Sequence, residues 1–381
     1  CIRRGVERVD ELGPILGPYH PLIADNVDRI REISGLDEVS FHMSGTEAVM
    51  QAVRLARFHT QRSQLVTFTG AYHGWWDGVQ SGGHSRSLDD IYMLSDMSED
   101  TLRVLRTRKD IACVLVNPLQ ALHPNASASS DAMLIDGSRK AGFDRESYSD
   151  WLRSLREVCT ERGIVLIFDE VFVGFRLGVG GAQEYFGVRA DMVTYGKTIG
   201  GGLPIGVLAG RADLMRRFRD DRPADLCFAR GTFNSHPYVM ATMNEFLQYA
   251  MGDEFRKDVD AADALWNERV RELNSRFEAR ALPLRVYNLS SIWIMTYTQP
   301  SRYHWMLQYY LRAAGLSLSW VGTGRFIFSH NYGDDDYAAV MDRFVEAAAR
   351  MRDDDWWSLP AGTSGKSIKK RVLREMLSTR F

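Results

Sequence analysis

The chain has 381 residues, 45% of them hydrophobic, with a formal charge of −2. That length supports one large domain with a smaller companion. So small a net charge gives no field that favours nucleic acid or an anionic membrane, and no apolar run approaches the roughly 20 residues of a membrane helix. Cys1, Cys113, Cys159 and Cys227 have no metal-ligand spacing. They read as free thiols of a cytoplasmic protein, with no metal site.

The opening CIRRGVERVD has no Met and no signal peptide, and is expected to lack the true N-terminus. Residues 20–35 have helical apolar spacing and end at Gly35. EVSFHM then reads as a strand, and SGTEAVMQAVRLARFH as a helix with Ser44 and Thr46 at its start. SQLVTFTG and IACVLVNP read as strands, the second ended by Pro118. Residues 119–144 read as a long irregular loop. A helix ended by Gly163 follows, then the apolar strands IVLIFDE, DMVTYG and IGVLAG. Alternating strands and helices, several strands apolar throughout, predict an α/β domain with a large, mostly parallel sheet. After about residue 250 the pattern changes to helix, strands and helix, which suits a smaller α+β domain. The expected division is a large domain over 1–250, a small one over 251–360 and a peripheral basic tail over 361–381.

Four motifs carry chemistry. MSGTEA, Met43 to Ala48, joins a strand to a helix. Ser44, Gly45 and Thr46 there could cup a phosphate at the helix N-terminus, or could form an ordinary cap. AYHGWWDG, Ala71 to Gly78, sets aromatics just after a strand. Tyr72 is the candidate to stack on a flat ligand, and core packing is the alternative. IFDEVFVGFR ends an apolar strand at Asp169, where a carboxylate needs a cation or donors. Glu170 beside it could equally be a structural partner for an arginine. VTYGKTIGGGLP sets Lys197 after a strand and before Gly200 to Gly202. A lysine desolvated there would have a lowered pKa, which suits a Schiff base. A phosphate loop fails because position 191 is aspartate, not glycine, and no G-x-G-x-x-G joins a strand to a helix. Together the motifs describe a ligand with a phosphate, a flat ring, a protonated ring nitrogen and an aldehyde. Pyridoxal 5′-phosphate has these features.

The stretches SGTEAVMQAVRLAR, YHG, DEVFVGFR, GGAQEYFGVRADMVTYGKTIGGGLPIGVLAGRADLM and GTFNSHP resemble the class III (subgroup II) aminotransferases, which have the fold type I architecture. The resemblance runs from about residue 11 to about 350. It is similar above all to glutamate-1-semialdehyde aminomutases and to aminotransferase domains of polyketide, peptide and prodigiosin-type alkylpyrrole synthesis. The second likeness rests on LGPILGPYHPLIADNVDRIREISGLDEVSFHMSGTEA. The resemblance implies that Lys197 is the Schiff-base lysine and general acid/base, and that Asp169 partners the pyridinium. It implies that Val171 packs on the ring opposite Tyr72, that His73 of YHG lies at the cofactor, and that Gly45 and Thr46 bind phosphate with Ser44. Thr232 would reach the phosphate of a neighbouring subunit, in a homodimer with shared active sites. An amino-acid donor and a carbonyl acceptor would react in turn. The protein could be fused to, or work with, other biosynthetic domains.

There are departures. Asn117-Pro118 stands where the family usually has Glu-Pro, and Phe172 where some members have a cofactor-binding Gln. Arg176 and Arg325 are candidates for a substrate carboxylate anchor, each with a structural alternative. The loop 119–144 is longer than the family needs and could cover the pocket. The expected function is amine transfer in secondary metabolism. The alternatives are an aminomutase and an assembly domain without turnover.

Overall fold

The computed structural model describes all residues except 17–19, 77, 80–89, 126–141, 318–324, 360–361 and 379–381, with only the backbone of 369, 372 and 376. Two compact units emerge. The larger comprises Cys1–Asn125 and Asp144–Asp260, and the smaller includes Ala261–Phe381.

The larger unit opens with helices α1 (Ile2–Leu12) and α2 (Leu22–Ser34), the latter stopped by Gly35 at φ 65°. Strand β1 (Glu38–His42) leads into α3 (Gly45–Thr60), which buries Ala48, Val49, Ala52, Val53, Leu55 and Ala56 on the sheet. Strands β2 (Gln64–Phe68) and β3 (Ile91–Leu94), helix α4 (Glu99–Thr107) and strand β4 (Ile111–Val116) follow. Helix α5 (Arg145–Arg162) is capped by Asp144, whose carboxylate accepts the Glu146 and Ser147 N–H groups, and stops at Gly163. Strand β5 (Val165–Asp169), helix α6 (Gly181–Phe186), and strands β6 (Met192–Gly196) and β7 (Gly206–Gly210) complete the sheet. The short helix α7 (Ala212–Met215) precedes the hairpin β8 (Phe218–Arg219) and β9 (Arg222–Leu226), and α8 (Pro237–Ala250) closes the unit.

The seven-stranded sheet has the order β1-β7-β6-β5-β4-β2-β3. Only β7 runs against its neighbours. Strands β2, β4, β5 and β6 are buried end to end, the pattern of a sheet covered on both faces. In this unit helices α1, α4, α6, α7 and α8 and strands β3, β8 and β9 were not expected. Strand β3 has no fully buried residue, and α1 buries only Gly5 and Val9, although its apolar residues recur at helical spacing.

Helix α9 (Asp253–Ala279) crosses the boundary at residue 260 and is longer than its apolar pattern implied. In the smaller unit, strands β10 (Leu284–Leu289) and β11 (Ile292–Tyr297) form a hairpin through Ser290 and Ser291. Helix α10 (Leu307–Ala313), strand β12 (Arg325–Ile327) and helix α11 (Asp334–Asp353) follow. Trp266, Trp293 and Phe328 pack at its centre, with ring centroids 4.8–5.9 Å apart, Trp266 stacked on Phe328 and Trp293 edge-on to both. The tail residues include α12 (Gly365–Ser378), tied by Glu375 to Arg302. Of the expected loop 119–144, Pro118–Leu122 is a buried 3₁₀ turn, and most of the remainder lies outside the described residues.

Among the described residues no helix is long and apolar enough to cross a membrane.

Candidate active site

The site lies where strand ends meet, as open α/β sheets require. His42, Gly206 and Gly196 form one row across β1, β7 and β6, and Asp169 pairs with Thr194 on the next strand. From β1 the chain turns directly into α3. The Ser44 hydroxyl accepts the Glu47 N–H at 3.3 Å, and the Glu47 carboxylate accepts the Met43 N–H at 2.9 Å. The pair resembles a capping box, legible as S-x-x-E at residues 44–47, except that the Glu47 carboxylate reaches the N–H one residue before the cap. It leaves the Gly45 and Thr46 N–H groups without intrahelical acceptors, at the positive end of a 16-residue helix. The turn is tight. A Cβ on Gly206 would collide with the Ser44 carbonyl oxygen, and one on Gly45 would lie 2.6 Å from Val171 Cγ1. Glycine at both positions lets β1, β7 and the segment after β5 converge.

Asp169 ends β5 and is 3% exposed. Its Oδ2 accepts from His73 Nδ1 at 2.8 Å, and its Oδ1 accepts from the Val171 N–H at 3.1 Å and the Thr194 hydroxyl at 3.4 Å. A carboxylate offers about four acceptor sites, so one on Oδ2 remains for a further donor. His73 is also 3% exposed, and its Nε2 has no hydrogen-bond partner among the described residues. Tyr72, next to it, is 65% exposed, a ring presented at the surface of this chain. Asn117 holds this segment. Its Nδ2 donates to the Tyr72 carbonyl at 3.2 Å while its Oδ1 accepts the Leu119 N–H at 3.1 Å. A residue read from the sequence only as a departure therefore anchors the YHG loop to the end of β4.

Lys197 follows β6 and starts a 3₁₀ turn, Lys197–Gly200. Its φ of 49° is left-handed, a costly conformation for a side-chain-bearing residue. Phe175 and Ser235, in the DEVFVGFR and GTFNSHP segments, are left-handed too, at 63° and 61°. Strain of this kind concentrates at functional sites. The expected desolvation of Lys197 is corrected here. The residue is exposed in this chain, because β6 ends at Gly196 and the turn carries the side chain outward over the Phe172 ring, with Nζ 5.6 Å from the centroid.

Glu170 is fully inside. Its Oε2 accepts the Ala182 N–H at 2.7 Å, which fastens the turn after β5 to α6. Among the described residues it pairs with no arginine. Burial pushes its carboxyl up to about 8, the Ala182 and Gln183 N–H groups oppose this, and the Asp169 charge adds to it. Thr232 is exposed. It lines a cleft of about 700 Å³ with Ser40, Phe41, Arg217 and Cys227, and makes no hydrogen bond to Ser44–Thr46 or Asp169. Of the predicted residues, the fold brings together Ser44, Gly45, Thr46, His73, Asp169, Val171 and the strand leading to Lys197. Contacts within the chain do not bring Thr232 to them.

Comparison with known proteins gives the class. The class III aminotransferase family matches residues 17–347. A glutamate-1-semialdehyde 2,1-aminomutase of Nitratidesulfovibrio vulgaris (strain DP4) is 33% identical over 330 residues, 81% of this chain and 74% of that protein. The structure of an omega-transaminase from Sphaerobacter thermophilus has a TM-score of 0.74 at 25% identity, covering 92% of this chain and 83% of the other. A transaminase solved with pyridoxal phosphate bound shares the fold, with a TM-score of 0.73 at 24% identity over 93% and 83% of the two chains. The chain belongs to the class III aminotransferases. It is a fold type I enzyme dependent on pyridoxal 5′-phosphate and acts on small molecules.

Proposed function

We propose that this protein moves an amino group from an amino-acid donor to an aldehyde or ketone, in secondary metabolism of the polyketide or prodigiosin-type alkylpyrrole kind. The observation that carries the transfer chemistry is the end of β5 and β6. A buried, oriented carboxylate at Asp169 stands one strand from a lysine on strained backbone at the strand's exit.

The residues fit pyridoxal phosphate. The open Oδ2 site of Asp169 suits a ring N–H, the unpaired N–H groups of Gly45 and Thr46 with Ser44 suit a phosphate, and Val171 and Tyr72 supply faces for a ring. Bound there, the group supplies an aldehyde that bonds reversibly to amines and a cationic ring that takes up electrons from a breaking Cα–H bond. Asp169 holds the proton on the ring nitrogen, and the His73 hydrogen bond keeps that carboxylate aimed. Lys197 Nζ, released on its short turn, takes the proton from the substrate Cα and returns it elsewhere. Thr232, exposed and without a hydrogen bond to these residues, serves a second copy's phosphate, so the working unit is a homodimer with shared sites. Support for secondary metabolism comes from the likeness of residues 12–48 to synthase-borne aminotransferase domains.

A second reading is an aminomutase, which shifts an amine within one molecule; relatives at 33% identity bear that name. Asn117 in place of the family's glutamate favours transfer. A spectral titration with a panel of amino donors separates the two. Loss of the visible band of lysine-bound cofactor, with release of the donor's keto acid, is expected. An intact band with every donor overturns the transfer reading.

A further inference from the structure

Arg176 closes the DEVFVGFR segment. Its Nε donates to the Phe172 carbonyl at 3.2 Å, which fixes the guanidinium over the Phe172 ring, 5.7 Å from the centroid. Lys197 Nζ stands over the same ring at 5.6 Å. One aromatic side chain thus carries both the lysine of the candidate site and an arginine. Of the other arginines of this unit that leave solvent, Arg29 has a buried Nε without an acceptor among the described residues, while Arg156 and Arg62 find partners. Arg156 meets the Asp191 carboxylate at 2.8 Å, and Arg62 donates to the carbonyls of Ile111, Arg162 and Gly163 at 3.0–3.1 Å. Arg176 is half-buried, yet among the described residues no carboxylate lies within ion-pair reach and neither Nη has an acceptor.

We propose that Arg176 is the anchor for a carboxylate on the substrate. The free Nη edge of a guanidinium fits a carboxylate with two parallel hydrogen bonds, and Phe172 spaces it from the lysine that meets the amine. Burial without a partner lowers the Arg176 pKa, so water has been withdrawn and an incoming anion restores what is missing. Arg325, the other candidate, lies on β12 in the smaller unit. The inference rests on the transferase reading, since it places an amine-bearing substrate at Lys197.

The test is calorimetric binding of glutarate, a dicarboxylate without an amine, to the cofactor-loaded protein, beside uncharged glutaramide. Arg176→Gln is expected to weaken glutarate binding about 10-fold or more, as loss of a charge-assisted pair implies, and to leave glutaramide unchanged. Arg176→Lys keeps the charge without the fork and is expected to fall between the two. The KM for a carboxylated donor should rise in the same order. Equal glutarate affinity in the wild type and in whichever of the two variants folds overturns the proposal, as does failure of the wild type to bind glutarate. If no donor reacts while glutarate binding still depends on Arg176, the transferase reading falls and the anion anchor stands.

Discussion

Asp169 and Lys197 leave the ends of neighbouring strands, and the chain treats them in opposite ways. Asp169 is sealed in and receives hydrogen bonds from His73, Val171 and Thr194. Lys197 is exposed, and the cost at its position is in the backbone, at φ 49°. The difference matches two tasks. A group that only stabilises charge works best when fixed in a dry, oriented setting. A group that must bond, release and carry a proton needs reach and freedom. Fixing it by burial would cost both stability and motion.

The comparison can be broken by substitution. Lys197→Ala should abolish turnover, by about 10⁴-fold or more if the lysine is the general base, and shift unfolding free energy by no more than about 0.5 kcal/mol because the side chain is exposed. Asp169→Ala should also lose activity, but it strands His73 in the interior, so denaturant unfolding should show a loss of about 3 kcal/mol. Equal stability of the two variants would erase the contrast drawn here.

Glu170 sharpens the same contrast through pH. Its folded pKa, raised to about 8 from an ordinary 4.5, means that the folded state binds the extra proton. Its favourable contribution is present below about pH 4.5 and is lost as pH rises through about 8. Glu170→Gln keeps an acceptor for the Ala182 N–H and removes that titration. Its urea midpoint should vary less between pH 5 and 8 than the wild type's, and parallel curves would refute the assignment. The smallest effect is expected from Ser44→Ala. Loss of the cap should cost about 1 kcal/mol, seen as a lower thermal midpoint, with weaker cofactor retention on dialysis.

Much of this was legible in the residues. Apolar runs of five or six residues ending in Asp169 or Gly196 mark buried parallel strands, because both faces of such strands meet helices. Ser44 and Gly163 mark helix ends, since a hydroxyl acceptor and a left-handed glycine satisfy orphan backbone groups. Strand β3 was illegible because a short, partly exposed strand leaves little periodic signal, whereas α1, with Ile2, Val6 and Val9 at helical spacing, was legible and was missed.

What the sequence by itself determined is the strand ends and the residue types placed on them, because burial and capping are local patterns. Only the tertiary structure decided that Asn117 holds Tyr72, that His73 meets Asp169, that Glu170 fastens to the Ala182 N–H, that Lys197 turns outward, and that Arg176 shares Phe172 with it. These contacts join segments up to 96 residues apart. No local pattern encodes them. They exist only once the sheet order has set which loops rise side by side.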